Sequence, residues 1–510
     1  MSASITRLPE RGMARTVPIA LAGLDEVASD EVVRCLAARG LAGARPCSLE
    51  ELAAAVEDGA LAAAWIDADA AVAASLAAVA RAAATAARPL VLLARPARGR
   101  ATSSSAAATK DRTEHAAALA YLRAHGAAVC SDPDAWLEAV CLVARHGIPE
   151  GPRVAVVAPE GSWLAAAAAG IGGADDDARR PAYAASADDM SPADVALVDA
   201  ATWSATSPDA RGDARGDARD GARAATGALL VPVVARAELA DGGPAGALWG
   251  LRPALAAVTA VGAAAARARA GLGPATRTAR GELEVDEEKL ERQLGRLGPA
   301  DSRLGDHETK VLLSAYGVPI TRQAVATTAS AALRIAKKAG FPVDIKPWGA
   351  DVPSERDDCP VERNVATAAD VRRAYSAVLG HGASAARSTL EEGAVIVRES
   401  APSGREVAAT IAPMGALGWT VIVEIAGHGP VAAPAPLRVA DASALAQALV
   451  ATRAGEQEPD RTALANVLRR ASHLAVDHAE RISKLELGVI VVGTKSERTI
   501  VVDAATVLRR

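Results

Sequence analysis

From Val17 to about residue 150 the chain alternates short apolar runs with alanine-rich helical segments, and this alternation restricts the fold more than any other feature. VPIALAG, AAAWIDAD, RPLVLLARP and AAVCSD have the length and apolar content of buried strands. SDEVVRCLAARG, SLEELAAAVEDG, AVAASLAAVARAAATAA, residues 116–126 and PDAWLEAVCLVARHG lie between or after them, several with a Ser, Asp or Pro start and a Gly end. Strands separated by helices in this way run parallel, and their sheet is covered on both faces. GPRVAVVAPEGSW opens a second unit of the same type. The strand RVAVVAP, the helix WLAAAAAG, the strands ADVALVDAAT and ALLVPVVAR, and a helix over residues 252–271 follow.

Half of the residues are hydrophobic but only 2% are aromatic, with Phe341 the single Phe. Ala, Val, Leu and Ile must therefore form the core, and small side chains bury enough area only when helices pack closely on sheets. At roughly 100–200 residues per domain, 510 residues suggest three domains. The expected division is a loose tail at 1–16, a Rossmann- or flavodoxin-like α/β domain at 17–149, a second α/β domain at 150–272, a linker at 273–282 and an α+β domain at 283–510. ARGDARGDARDGAR, at 210–223, has no apolar face, so 205–226 is expected to be a flexible insertion rather than an adhesion motif. The net charge of -5 is spread along the chain without a basic stripe, which argues against nucleic acid. No apolar run reaches the ~20 residues of a membrane span, and the first residues lack the apolar centre of a secretory signal. Five cysteines without a CxxC pair point to a reducing compartment, hence the cytoplasm.

Beyond Glu282 the pattern changes to mixed α+β. A helix leads into YGVPIT at Tyr316–Thr321, and a second helix leads into AGFPVDIK at Ala339–Lys346. GAVIVRES and GREVAATIAP read as an antiparallel pair, and WTVIVEIAG, LGVIVVGT and TIVVDAATVL as further strands. In order and spacing these segments resemble the ATP-grasp part of the ADP-forming acyl-CoA synthetases, over roughly residues 283–510. The upstream domains resemble the succinyl-CoA ligase-like domains of that family more loosely. The resemblance implies ATP or ADP with magnesium, and a CoA thioester, as ligands. It implies nucleotide binding by Lys346, Arg398, Glu399 and Glu406, and metal binding by Asp503 and Glu486.

Several family residues are replaced. Ser354 and Glu355 stand where His and Lys are expected, and Cys359 and Pro360 where paired glycines are expected. Gly488 and Val489 replace Asn-Pro beside the metal position, and LGW at Leu417–Trp419 replaces Phe-Gly-Pro. The family's phosphorylated histidine falls near Ala107, within Ala106–Ala108, and His115 is the nearest histidine. Glu160 would repel the phosphate that the turn after RVAVVAP normally faces. Glu355 is expected to do the same beside Lys346, leaving weak nucleotide affinity. The implied function is a divergent acid–CoA ligase with impaired catalysis. Two alternatives are a ligase completed by a separate CoA-binding or histidine-bearing subunit, and a nucleotide or acyl-CoA sensing module or scaffold for an active paralogue. The insertion supplies a first test: limited trypsin treatment should cut first within 210–223, and a chain cleaved elsewhere while that stretch stays intact would contradict the reading.

Overall fold

The computed structural model describes residues 17–96, 105–171, 182–184, 192–200, 228–235, 247–270, 283–296, 302–350, 352, 355, 359–385, 393–425, 429–448 and 458–509. The expected tail and linker, the insertion at 205–226 and Ser354 lie outside them. The chain divides into two compact units, the first running to Pro274 apart from Arg112–Ala117, the second from Ala275 onward.

The first unit holds two five-stranded parallel sheets. One is built from β1 (Ile19–Ala22), β2 (Ala44–Pro46), β3 (Leu61–Ala68), β4 (Val91–Pro96) and β5 (Ala128–Cys130), in the order β2-β1-β3-β4-β5. The other is built from β6 (Val154–Val157), β7 (Ala182–Ala184), β8 (Val195–Asp199), β9 (Leu229–Val234) and β10 (Leu248–Trp249), in the order β10-β9-β8-β6-β7. Counted from their own first strands, both follow one doubly wound order, with the chain reversing direction beside the first strand. The helices Pro133–His146 and Leu251–Arg269 share one apolar core with both sheets. Ala139, Ala254 and Ala257 on these helices are fully buried, so alanine lets backbones approach where larger side chains would hold them apart.

Two helices begin earlier than expected, and the helix Leu52–Glu57 has no side-chain cap where SLEEL suggested one. The first helix is Glu26–Ala38, and Asp25, not the later Ser29 or Asp30, caps it by accepting from the Ala28 backbone N at 2.8 Å. The helix expected from residue 116 starts earlier: one helix spans Ser105–Ala124, with Ala107 in its first turn and His115 in its middle. Alanine has the highest helix propensity, and AAA at Ala106–Ala108 favours extending the helix backward from residue 116. The short strands β2, β7 and β10 carry too few residues to show a periodicity.

A buried polar junction crosses the first unit. Arg39, at the end of the first helix, donates to Glu138 Oε1 at 2.7 Å and lies with its guanidinium 3.5 Å from the centre of the Trp249 ring. Glu138 Oε2 accepts from the Trp249 backbone N at 3.0 Å. Burial raises the Glu138 carboxyl above its usual value despite the opposing pull of Arg39.

The second unit pairs two antiparallel sheets. Its strands are β11 (Arg303–Leu304), β12 (Gln323–Ala326), β13 (Val343–Pro347), β14 (Glu362–Val365), β15 (Val395–Glu399), β16 (Arg405–Pro413), β17 (Trp419–Glu424), β18 (Val431–Pro434), β19 (Ile482–Val492) and β20 (Ile500–Leu508). A six-stranded sheet runs β11-β20-β19-β16-β17-β18 and a four-stranded sheet runs β12-β15-β13-β14. GAVIVRES and GREVAATIAP are therefore not partners. β15 pairs with β12 and β13, whereas β16 pairs with β17 and β19 in the other sheet. The chain crosses between sheets at Ala401–Gly404, where a Cβ on Gly404 would come within 2.6 Å of the Val492 carbonyl oxygen. Apolar alternation identified both strands but could not assign their neighbours.

Removing the guanidinium of Arg39 leaves Glu138 buried without its cation. Arg39→Ala is expected to destabilise the first unit by about 3–5 kcal/mol at neutral pH. Because burial raises the Glu138 carboxyl, the loss should shrink as pH falls from above the ordinary glutamate range down through it. Denaturant unfolding of both forms across acidic and neutral pH checks it; equal losses at every pH would contradict the account.

Candidate functional site

Strand alternation sets up the most highly charged corner of the second unit. Val343 and Ile345 on β13, with Val395 and Val397 on β15, face an apolar layer that includes the helices Ala329–Ala339 and Ala368–Ala385. Their alternates Asp344, Lys346 and Arg398 must then face the other side, since successive side chains point to opposite faces. The pairing register places Asp344 across from Arg398 and Lys346 across from Ile396. From the six-stranded sheet β20 contributes Asp503. The helix Asp306–Ala315 contributes Asp306 and Lys310, four residues apart and so on one face. Gly305 permits this approach, because a Cβ there would meet the Gly349 carbonyl oxygen at 2.6 Å.

Lys346 is the hub. Its Nζ lies 2.7 Å from Asp503 Oδ1, 3.1 Å from Glu355 Oε1 and 3.3 Å from Asp306 Oδ2, with the side chain 2% exposed. Arg398, fully buried, donates from Nη2 to Glu355 Oε2 at 3.0 Å and to Asp344 Oδ2 at 3.2 Å. Its Nη1 donates to Glu355 Oε1 and, at 2.7 Å, to the Val502 carbonyl oxygen. Arg363 on β14 adds a 3.0 Å contact to Glu355 Oε2. Lys310 Nζ donates to Asp306 Oδ2 at 3.1 Å, Thr321 Oγ1 at 2.9 Å and the Val502 carbonyl at 2.6 Å. Each charge thus has counter-charges and hydrogen bonds, as burial demands.

These contacts move the ionisations. Burial alone would lower Lys346, but Asp306, Asp503 and Glu355 outweigh it and hold the ammonium above its usual range. Burial pushes Lys310 down to about 8, with Asp306 only partly offsetting it. Glu355 is held low: burial would raise it, but the Arg398 hydrogen bond and the charges of Lys346 and Arg398 prevail. Asp306 is low for the same reason, through Lys310 and Lys346. Burial pushes the Cys359 thiol up to about 11, so it is a thiol and not a nucleophile at neutral pH.

The sequence-assigned residues separate in space. Lys346, Arg398 and Asp503 come together in the cluster. Glu399 belongs to another group: its carboxylate accepts from Arg322 Nε at 2.8 Å and lies 3.6 Å from Arg498 Nη2. Glu406 is exposed on β16. Glu486 on β19 pairs with Lys484 and, at 3.9 Å, with Arg303 Nη2. Gly488 sits in β19 where the register slips between Leu487 and Val489. Glu160 lies in an exposed turn ahead of the short helix Trp163–Ala169. Asp306, Lys310 and Asp344 were missed by the sequence reading. The D-x-x-x-K spacing and the alternation in VDIK were the available signals.

Glu355 does not present a bare negative charge. Its carboxylate is neutralised by Lys346, Arg398 and Arg363, and its backbone N donates to Asp503 Oδ2 at 3.2 Å. The donor set as arranged does not fit magnesium. Asp306, Glu355 and Asp503 converge on an ammonium that already occupies the cation position. Among the described residues no trio of His, Cys, Asp or Glu gathers as a metal site. Magnesium needs near-octahedral oxygen ligands at about 2.0–2.1 Å, which these side chains cannot offer around Lys346. The adjoining cavity, lined by Gly305, Asp306, Lys346, Gly349 and Asp503, has a volume of about 10 Å³, about what a single water requires.

Residues 296–508 match the ATP-grasp domain family. The second unit contains an ATP-grasp domain. Acetate–CoA ligase [ADP-forming] II subunit beta from Pyrococcus furiosus is 24% identical over 215 residues, covering 40% of this chain and 91% of that protein. A dinucleotide-forming acetyl-coenzyme A synthetase 1 from Ca. Korarchaeum cryptofilum, solved with coenzyme A, Ca-AMPCP and HgCl+, is 25% identical, covers 41% of this chain and 95% of its own, and has a TM-score of 0.37. ACD1 from the same organism, solved with coenzyme A, is also 25% identical, with coverages of 44% and 100% and a TM-score of 0.38. The resemblance to the ATP-grasp part of the ADP-forming acyl-CoA synthetases, seen in the sequence motifs, holds for this unit.

The cluster makes a stability prediction. Lys346→Ala leaves three buried carboxylates without their shared cation and should cost the ATP-grasp unit about 3–5 kcal/mol. Glu355 and Asp306 are held low, so their stabilisation is present above the unfolded carboxylate values and is lost as pH falls through the folded ones. Glu355→Gln should therefore lower the unfolding temperature at neutral pH and flatten its fall toward about pH 3. An unchanged acid limb in that variant would contradict the charge assignment.

Proposed function

We propose that this chain is a divergent acid–CoA ligase-like protein whose phosphate-transfer chemistry is impaired. The observation that carries the reading is Glu355, which engages Lys346 and Arg398, two of the groups assigned to nucleotide phosphates. A phosphate entering this corner must compete with a carboxylate already hydrogen-bonded on both oxygens. The stretch that resembles the segment around the family's phosphorylated histidine supports the same reading. Ala107 has no nucleophilic atom, and the backbone there is helical rather than a loop. Histidine serves in phosphoryl transfer because its ring nitrogen is nucleophilic near neutral pH, and alanine cannot replace it.

The ligands proposed are ATP or ADP and an acyl-CoA, with Arg398 and Lys346 as the phosphate contacts; Glu399 and Glu406 lie outside the cluster. Magnesium is not assigned a role, given the donor set. No helix among the described residues is long and apolar enough to cross a membrane. All five cysteines are unpaired, which supports a cytoplasmic protein.

A second reading is supported by the name of the Pyrococcus furiosus relative, which is a beta subunit. On this reading a separate chain supplies the histidine and the CoA site. The isolated chain and the chain mixed with a candidate partner subunit then behave differently in the same assay.

Calorimetric titration with Mg-ATP, Mg-ADP and acetyl-CoA, each alone, tests the first reading. ATP binding should be weak and unchanged when magnesium is removed. Acetyl-CoA, ADP and phosphate together should yield no ATP above background. Tight magnesium-dependent binding would overturn the reading. So would turnover by the isolated chain that His115→Ala abolishes.

A further inference from the structure

Three cations converge on Glu355 from neighbouring strands of one sheet: Lys346 from β13, Arg398 from β15 and Arg363 from β14. Glu355 itself lies on the connection between β13 and β14, outside any strand. The cations are therefore held by sheet hydrogen bonding, while the anion they hold is not. Arg398 grips both carboxylate oxygens in the forked geometry that guanidinium also uses for phosphate.

Charge counting shows what Glu355 does. The cluster contains four carboxylates, Asp306, Asp344, Glu355 and Asp503, and four cations, Lys310, Lys346, Arg363 and Arg398. Removing Glu355 leaves three against four, with the excess positive charge where the carboxylate had been. Asp344 cannot move over to fill the gap. It sits on β13, and Oδ1 already accepts from the Asn364 backbone N at 3.0 Å and Ser400 Oγ at 2.7 Å.

We propose that this corner is an anion site occupied by its own side chain: the Glu355 carboxylate takes the place of a ligand phosphoryl group between Arg398, Lys346 and Arg363. The chemical class it excludes is a small oxyanion, either inorganic phosphate or the terminal phosphate of a nucleotide. The site itself follows from the cluster geometry; only the choice of a nucleotide rests on the function proposed above.

Three forms of the full chain decide it: wild type, Glu355→Ala and Glu355→Ala with Arg363→Ala. The double variant restores the charge balance at three against three. Each is titrated with inorganic phosphate, and with chloride at matched ionic strength, while the unfolding temperature is followed. Wild type should respond to phosphate as it does to chloride. Glu355→Ala should show a saturable phosphate-specific rise and bind phosphate at least about tenfold tighter than wild type by calorimetry. The double variant should lose most of that response. Should Glu355→Ala fail to fold, Glu355→Ser carries the same test, because it also removes the carboxylate and vacates its place while keeping a small polar group. Glu355→Ala or Glu355→Ser with no phosphate-specific response, or a double variant that binds phosphate as well as the single one, would overturn the proposal. ADP and AMP serve as separate arms. Phosphate binding without ADP binding in Glu355→Ala would keep the anion site and refute the nucleotide reading. ADP binding by wild type that Glu355→Ala leaves unchanged, with no phosphate-specific response in Glu355→Ala, would refute the anion site alone.

Discussion

A buried ammonium is tolerated only with a full set of counter-charges, and the second unit is arranged around one such group. Lys346 draws Asp503 from one sheet, Asp306 from a helix and Glu355 from a connection onto the charged face of the other sheet. Any one partner removed would leave a charge in a poorly solvating interior, a far larger cost than a surface ion pair could recover. The two antiparallel sheets therefore meet through a neutral polar assembly where an apolar contact would ordinarily serve. Lys310 and Arg398 extend that assembly by donating to the same Val502 carbonyl oxygen on β20.

The same constraint shapes the chemistry open to the site. Phosphate-binding corners expose cations to the ligand, whereas here the cations are already matched. Magnesium sites gather carboxylates around an empty position, whereas here that position holds Nζ. The charges expected of an ATP-grasp domain are largely present, but they are directed at one another. Glu355, at a position where the resemblance implies a lysine, thus does more than reverse one expected charge. It supplies the anion that closes the network.

The first unit is solved in another way. Its cores are Ala, Val and Leu, and closeness of approach replaces side-chain bulk. Its main buried polar junction, Arg39 with Glu138 and Trp249, ties the end of one helix to another helix and to the edge strand of the second sheet. Trp249 is one of the few large rings in the chain, and its face is used for a cation as well as for packing.

The sequence by itself determined the local elements and their class. Alternating apolar runs and capped helices gave parallel sheets upstream, and the change of pattern after residue 283 marked the antiparallel part, with YGVPIT and AGFPVDIK locating the ATP-grasp domain. Lys346, Arg398 and Asp503 could be named because the segments that carry them resemble the ATP-grasp part of the ADP-forming acyl-CoA synthetases. Partnership could not be read. Periodicity shows that a segment is a strand but not which strand lies beside it, so β15 and β16 were paired wrongly. Helix propensity carried the helix expected from residue 116 back through Ala107. Only the tertiary structure decided that Asp306 and Asp503, 197 positions apart in sequence, share one ammonium, and that Glu355 faces inward. Those outcomes depend on burial, which converts a charged residue from a solvated surface group into one that must find its counter-charge, and burial is set by where whole sheets meet.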